Sequence, residues 1–447
     1  LLAYFFKVEN YASLFLIFKA MKHKNQHVCF SMNWKISNRK SAFQPNAFWT
    51  FLFCFALSSS LIFQKEAKAE SKPILSSKAR ISILTCGPGP ELYEAFGHTA
   101  IRVQDPQQVM DLTFNYGVFD FEQENFYGNF AMGFMRYMLG VATTEDFLFS
   151  YRRAKRSVRE QVLNLDSSEK QKIAYYLEVN LKPENREYFY DYFYNNCSTK
   201  IVELLDSALN RKVIWQWAEP EGNLSFRALI RQYATFQSWG RLGIDLGLGA
   251  LIDKPIRGKD LDFLPDALER DLNRASLQRN LLQFPLVLET HILYEAPAAY
   301  GEGSFFLHPA FIFSLILLIS CFLYVYSSKL GRIRKAWNLL WLLLVSLLGW
   351  VETLIWFFTN HKAAAWNYNI LWANPIWLIL VLANVGFRHK NFANLKAIQW
   401  YYSAILVFWF LLPQTMNENL LPLVFALWIN ALPSKKKIET REIPLVI

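Results

Sequence analysis

Two side chains far apart in the chain have the types and settings that acyl-transfer chemistry needs. Cys197 lies in Tyr194-Asn195-Asn196-Cys197-Ser198-Thr199, at the head of the helical pattern Lys200–Leu209. At a helix start the unpaired N–H groups and the positive end of the macrodipole favour a thiolate. A thiolate needs a proton acceptor. Glu70–Ser304 holds two histidines, His98 and His291. His98 is the better candidate, because Phe96-Gly97-His98-Thr99-Ala100-Ile101-Arg102-Val103 places it at the entry to a strand, where a side chain is held rigidly. A thiolate–imidazole pair attacks acyl carbons through a covalent intermediate, and the Cys197 N–H is placed to help stabilise the oxyanion. Taken singly, the histidine reads as a hydrogen-bonded structural residue and the cysteine as a small buried hydrophobe. Only the pair argues for catalysis.

The surrounding elements must bring these two together. Arg80–Thr85 has a strand pattern, and Gly87-Pro88-Gly89-Pro90 forces a turn. Glu91–Phe96 suits a short helix. His98–Gln104 and Met110–Tyr116 read as consecutive strands joined at Asp105-Pro106. A helix is expected over Glu145–Lys155, a strand over Val158–Leu165, and a further helix from Asp166-Ser167-Ser168-Glu169 through Leu181. From Tyr188 to Tyr194 the tyrosines alternate, which predicts a strand with one aromatic face leading to Cys197. Ala267–His291 reads as helical.

Composition places the pair outside a membrane. The chain has 447 residues, 53% of them hydrophobic, with the apolar excess after Phe305. Its net charge of +10 suggests nucleic acid until it is located. Glu70–Ser304 holds 26 Lys and Arg against 31 Asp and Glu, while the rest of the chain holds 21 against 6. The basic charge thus belongs to the N-terminal region and the membrane loops, and nucleic-acid binding loses its support. Residues 1–47 look irregular. Residues 48–69 combine an apolar run, Phe48–Phe63, preceded by basic residues, with Ala67-Lys68-Ala69, the pattern of a signal peptide and its cleavage region. Residues 70–304 form the exported domain. Residues 305–432 carry five apolar spans, at about Phe305–Tyr326, Ala336–Phe358, Ile370–Phe387, Ala397–Leu412 and Leu420–Leu432. Lys and Arg concentrate in alternate loops and in the tail, residues 433–447, which puts the tail in the cytoplasm and the exported domain outside. Glu352 inside a span, and His361 and Asn367 in the outward loop beside it, are membrane-side candidates for function. Of the five cysteines, Cys86 and Cys197 fall in the exported domain, and a disulfide between them is an open alternative to a reactive thiol. There is no metal-ligand spacing and no sign of a cofactor.

Thr85-Cys86-Gly87-Pro88-Gly89, Ala95–Val103, Asn115-Tyr116-Gly117-Val118-Phe119-Asp120-Phe121, Asn196-Cys197-Ser198-Thr199, Gly243-Ile244-Asp245-Leu246 and Phe263-Leu264-Pro265 together resemble the Lnb N-terminal periplasmic domain, a bacterial family. The resemblance covers roughly 81–268 and implies an inner-membrane protein whose main domain is periplasmic. More distantly, the order of strand histidine, next strand with a polar residue, then Asn-Cys at a helix start is similar to circularly permuted NlpC-type thiol hydrolases and lecithin–retinol acyltransferase. That likeness implies an α+β papain-like exported domain followed by an all-α transmembrane bundle. It implies Cys197 as nucleophile, His98 as base and Asn115 as the residue that orients the imidazole, with Asp111 and Tyr116 competing for the last role. Tyr116, Tyr194 and Asn196 are expected to line the substrate groove. The expected function is a membrane-tethered cysteine hydrolase or acyltransferase acting on amide or ester bonds of cell-envelope lipid or peptide. The alternative is a non-catalytic envelope assembly or binding protein on the same scaffold. Protein partners are not specified by the sequence.

Overall fold

The computed structural model describes residues 75–119, 125–220, 222, 224–297, 304–386 and 395–433. The irregular extension expected at 1–47, the leader expected at 48–69 and, past Pro433, the tail expected at 433–447 lie outside the described residues.

The fold is built on Arg80–Cys86 (β1), whose residues after Arg80 are all buried. A strand buried on both faces belongs in the middle of a sheet, and β1 pairs antiparallel on both sides. Its neighbours are His98–Asp105 (β2) and Val158–Leu163 (β5). Met110–Val118 (β3), Arg136–Thr143 (β4) and Glu187–Phe189 (β6) extend the sheet on one side. Val213–Ile214 (β7), Ser276–Arg279 (β8) and Leu282–Pro285 (β9) form a separate three-stranded sheet. Val287–Tyr294 (β10) closes the other edge, giving seven strands in the order β10-β5-β1-β2-β3-β4-β6. Every described pair in both sheets is antiparallel.

The helices of this domain are Phe126–Ala131 (α1), Thr144–Arg153 (α2), Ser167–Leu181 (α3), Cys197–Ala208 (α4), Phe226–Tyr233 (α5), Ser238–Gly247 (α6) and Pro265–Arg274 (α7). The Asp166 start is a full capping box: the Asp166 side chain accepts the Glu169 N–H and Glu169 accepts the Asp166 N–H. The main core lies between the sheet and the helices α3, α4 and α7, with Ile81, Ile83, Ile101, Leu139, Ile173, Ile201 and Leu268 fully buried.

Two expectations fail here. Ala267–His291 is not one helix. It stops at Arg274, and the residues after it become β8, β9 and most of β10. Asn280 takes a left-handed conformation at the β8–β9 turn, and β10 finds its hydrogen bonds on the open edge of β5. The tyrosine run is not one strand either. β6 ends at Phe189, and the Asp191 carboxylate accepts the N–H groups of Phe193 and Tyr194. This side-chain turn competes with the strand ladder and turns the chain toward α4.

The C-terminal region is helical: Pro309–Val325 (α8), Gly331–Phe358 (α9), Asn369–Trp372 (α10), Trp377–Gly386 (α11), Leu395–Phe408 (α12) and Leu421–Asn430 (α13). Among the described residues, α9 is the one helix long and apolar enough to cross a membrane. The span expected at Ile370–Phe387 is broken between α10 and α11, where Pro375 lacks the N–H that a continuous helix requires.

A buried polar cluster fastens the helical region to the domain. Arg227 of α5 is 1% exposed and binds Asp245 of α6 at 2.8 Å and Asp253 at 3.0 Å. Asp245 also takes Arg231 at 2.9 Å and the Asn417 amide at 2.8 Å. The Asn369 amide donates to the Asp245 carbonyl at 2.9 Å, and the Thr415 N–H donates to Asp253. Loss of one member of such a desolvated ion pair strands the other charge and costs about 3–5 kcal/mol.

Candidate active site

α4 begins at Cys197 because Asn196 caps it. The Asn196 Oδ1 accepts the N–H groups of Ser198 and Thr199 at 2.9 and 3.0 Å, and the Thr199 hydroxyl accepts the Asn196 N–H at 2.8 Å. The Asn196 amide nitrogen donates to the carbonyls of Tyr192 and Phe263, which ties the helix start to two loops. All of this occupies the Asn196 side chain. Asn196, expected to line a substrate groove, is placed as the buried cap at the head of α4. The Cys197 N–H, at the first helical position, has no acceptor within α4.

β2 delivers His98 to the same point. The preceding Gly97 has φ +79°, and a Cβ there would lie 2.5 Å from the Cys86 carbonyl oxygen, so only glycine fits beside β1. One residue on, the buried Thr99 and Ser198 hydroxyls bond at 2.8 Å, locking β2 to the first turn of α4. His98 and Cys197 therefore meet because each neighbours one end of a strand-to-helix clamp. Gly117, at φ +89°, leaves room on the other side: a Cβ there would be 3.8 Å from Cys197 Cβ.

The electrostatics favour a thiolate. Burial pushes the Cys197 thiol up. The adjacent His98 opposes this by its charge and by a hydrogen bond, with help from the Thr99 N–H and the Ser198 hydroxyl, and the net shift is downward from the ordinary thiol value. Asn115, on β3 and 8% exposed, places its Oδ1 3.3 Å from His98 Nε2. The competing Asp111 is instead bound to Arg102, at 2.6 Å. Tyr116 is 4% exposed, inside the main core and edge-on to Tyr188. It lies in the core, and the side chain within hydrogen-bond reach of His98 on β3 is that of Asn115. Tyr194 is exposed, with its ring against Phe226.

Cys86 and Cys197 are both free thiols. Cys86 lies opposite His98 in the β1–β2 register and is fully buried, which pushes its thiol up to about 12. Among the described residues no group of His, Cys, Asp and Glu could hold a metal ion.

Sequence reasoning missed a buried carboxyl pair near the cap. Asp262, in the loop whose Phe263 carbonyl holds Asn196, lies against Asp271 of α7. Burial and the neighbouring carboxylate push Asp262 up to about 8. Asp262 and Asp271 are nine residues apart in sequence, and only the fold shows that they touch.

The membrane-side candidates separate. Glu352 is buried within α9, and among the described residues neither of its carboxylate oxygens has a hydrogen-bond partner. His361 and Asn367 instead meet the domain: His361 Nε2 lies 3.0 Å from the Phe130 carbonyl, and the Asn367 amide donates to the Leu246 carbonyl at 2.6 Å. The structure thus brings Cys197, His98 and Asn115 together and keeps these three out of that site.

Comparison with known families agrees with this two-part layout. Residues 66–232 match the family described as the Lnb N-terminal periplasmic domain, and residues 301–438 match the Lnb transmembrane domain. Comparisons with curated proteins and with solved structures gave no match. With both domains matched in order, the chain belongs to the Lnb family of membrane proteins, a periplasmic domain joined to a transmembrane one.

Proposed function

We propose that this protein is a membrane-tethered thiol hydrolase or acyltransferase that acts on amide or ester bonds of cell-envelope lipid or peptide. The observation that carries the reading is a cysteine at a helix N-terminus whose thiol is lowered by an adjacent histidine, itself within hydrogen-bond reach of an asparagine. This arrangement is of the kind used by papain-like thiol enzymes.

In the proposed cycle, His98 Nε2–H donates to Asn115 Oδ1, so Nδ1 carries the lone pair that takes the Cys197 proton. The thiolate attacks the acyl carbon, and the developing oxyanion faces the Cys197 N–H. Collapse breaks the C–N or C–O bond, and the imidazolium returns its proton to the departing amine or alkoxide. A thioester on Cys197 remains. Water or a second nucleophile then attacks it, His98 accepts the nucleophile's proton, and the thiolate leaves and is reprotonated. The five-span topology with a cytoplasmic tail belongs to the same proposal and keeps the thiol on the periplasmic side.

The test is capture of the acyl-enzyme. Full-length protein in nanodiscs is incubated with envelope lipid and peptide extract, quenched in acid, and the Cys197 peptide is weighed. A hydroxylamine-labile acyl mass on Cys197, absent in His98→Ala, is expected. If wild type carries no such adduct and Cys197 reacts with iodoacetamide no faster than an ordinary thiol, the proposal fails and the binding-protein reading takes its place.

A further inference from the structure

The segment from α1 to Phe134 has an apolar face that the domain does not cover. Tyr127 is 75% exposed, Phe130 50%, Met132 45% and Phe134 42%. Large aromatic side chains standing together in water mark a contact surface. What the segment is fastened to identifies the contact. The Asn360 N–H donates to the Met132 carbonyl at 2.8 Å, His361 Nε2 bonds the Phe130 carbonyl, and the Phe130 and His361 rings meet edge to face. Gly133, at φ +77°, is glycine because a Cβ there would come within 2.8 Å of the His361 N–H nitrogen. Asn360 and His361 follow the C-cap Thr359 of α9, the one described helix of membrane-crossing length. Its last residues, Phe357 and Phe358, are themselves exposed, so the apolar surface runs from the helix onto the segment.

Length sets the depth. From Ala336, just past the basic cluster Arg332, Arg334 and Lys335, to Phe358 the helix rises roughly 34 Å, against a hydrocarbon core of about 30 Å. Asn360 and His361 therefore stand at the upper boundary of the core, and the segment bonded to them lies in the interfacial layer. Tyr, Phe and Met suit that layer. Its main chain is also prepared for it: the N–H groups of Met132, Gly133 and Phe134 find carbonyl partners within the segment, and that of Asn129 finds the carbonyl of the preceding Asn125.

We infer that Phe126–Phe134 is an interfacial arm, embedded in the outer leaflet and occupied by lipid. The inference stands on this docking and exposure and does not depend on the thiol chemistry. The arm leads directly into β4, whose Tyr137 stacks on Tyr190 at 4.3 Å in the loop before Cys197. An arm set in the lipid fixes the height of that loop above the bilayer.

The wild-type full-length chain, in vesicles of phosphatidylethanolamine and phosphatidylglycerol doped with a diazirine-bearing phospholipid, is photolysed and its adducts mapped. Adducts are expected on α9, as a positive control, and on Phe126–Phe134, and not on the Pro106–Met110 turn. That turn lies at the far end of β3, roughly 27 Å from the end nearer the arm. A nitroxide introduced by Tyr127→Cys, in a full-length chain with its native cysteines replaced, should be relaxed by oxygen more than by a nickel complex. A nitroxide at Val109→Cys should show the reverse. Adducts on α9 with none on the arm, or a Tyr127 nitroxide as open to nickel as the one at Val109, overturns the inference. The face would then be covered by a second copy or another protein, or open to water.

Discussion

Cys86 and Cys197 show how strongly position governs one functional group. Both belong to the same domain, and both lie beside His98 in the fold. Cys86 is the last residue of β1, paired with His98 of β2 and Val158 of β5. Burial outweighs the opposing Arg156 charge and a Tyr151 hydrogen bond, and the thiol is pushed up to about 12. Cys197 sits at the first position of α4, where its own N–H has no acceptor within the helix. The same burial acts there, but His98, Thr99 and Ser198 all favour the anion and the net shift is downward. His98 thus favours the anion of the thiol its side chain reaches, and its strand neighbour Cys86 is left to burial. The backbone adds to this through the Thr99 N–H of β2, which also favours the Cys197 anion.

The widest separation between the two thiols is expected in reactivity. In native protein near neutral pH, iodoacetamide should modify Cys197 and leave Cys86 untouched. His98→Ala should slow Cys197 labelling by roughly tenfold for each unit that its thiol pKa rises. The pH profile of wild-type labelling should reach its plateau below that of an ordinary thiol, because thiolate increases as pH rises through a lowered pKa. Equal labelling of the two cysteines, or a profile unmoved by His98→Ala, would erase the contrast.

A smaller effect should come from Asn115→Ala. It removes one hydrogen bond to the imidazole, worth about 0.5–1.5 kcal/mol, and should slow labelling by roughly two- to tenfold. Asn115→Gln, which keeps the carbonyl but not its position, tests whether placement or chemistry matters. Labelling unchanged in both variants would remove Asn115 from the site.

The smallest effect concerns the loop that holds the Asn196 cap. Asp262 has a raised folded pKa of about 8 against an ordinary value of 3.8. The stability contributed by its protonated form is fully present below the unfolded value and is lost as pH rises toward about 8. Asp262→Asn should therefore flatten the fall in Tm between pH 5 and 8 and change little at pH 5. A wild-type and variant Tm that fall in parallel over that range would show that the pair does not carry this linkage.

Much of the fold was legible because local rules and tertiary structure agree. The Asp166–Glu169 capping box, the strands β1, β2, β3 and β5, the helix that Cys197 heads and the apolar C-terminal region all follow from residue type and period. His98 and Cys197 were legible for the same reason: a glycine before a strand and an asparagine before a helix each fix the residue that follows. The run from Ala275 to Tyr294 was not, because its apolar residues suit a helix as well as strands, and only the open edge of β5 offers β10 its ladder. The tyrosines misled because period two describes a strand only while the main chain is free to pair, and the Asp191 carboxylate captures it first.

The sequence by itself therefore determined a periplasmic-type domain before a membrane region, and a thiol and an imidazole in settings that hold them rigidly. Tertiary structure decided that Thr99 and Ser198 clamp the two together, that Asn115 rather than Asp111 reaches the imidazole, and that Asp262 meets Asp271. It also decided that the loop after α9 grips the aromatic arm. These are contacts between segments far apart in the chain or turned toward each other by the fold. Periodicity and capping act over a few residues and cannot specify them. Only packing, with its requirement that each buried polar group find a partner, selects which distant residues meet.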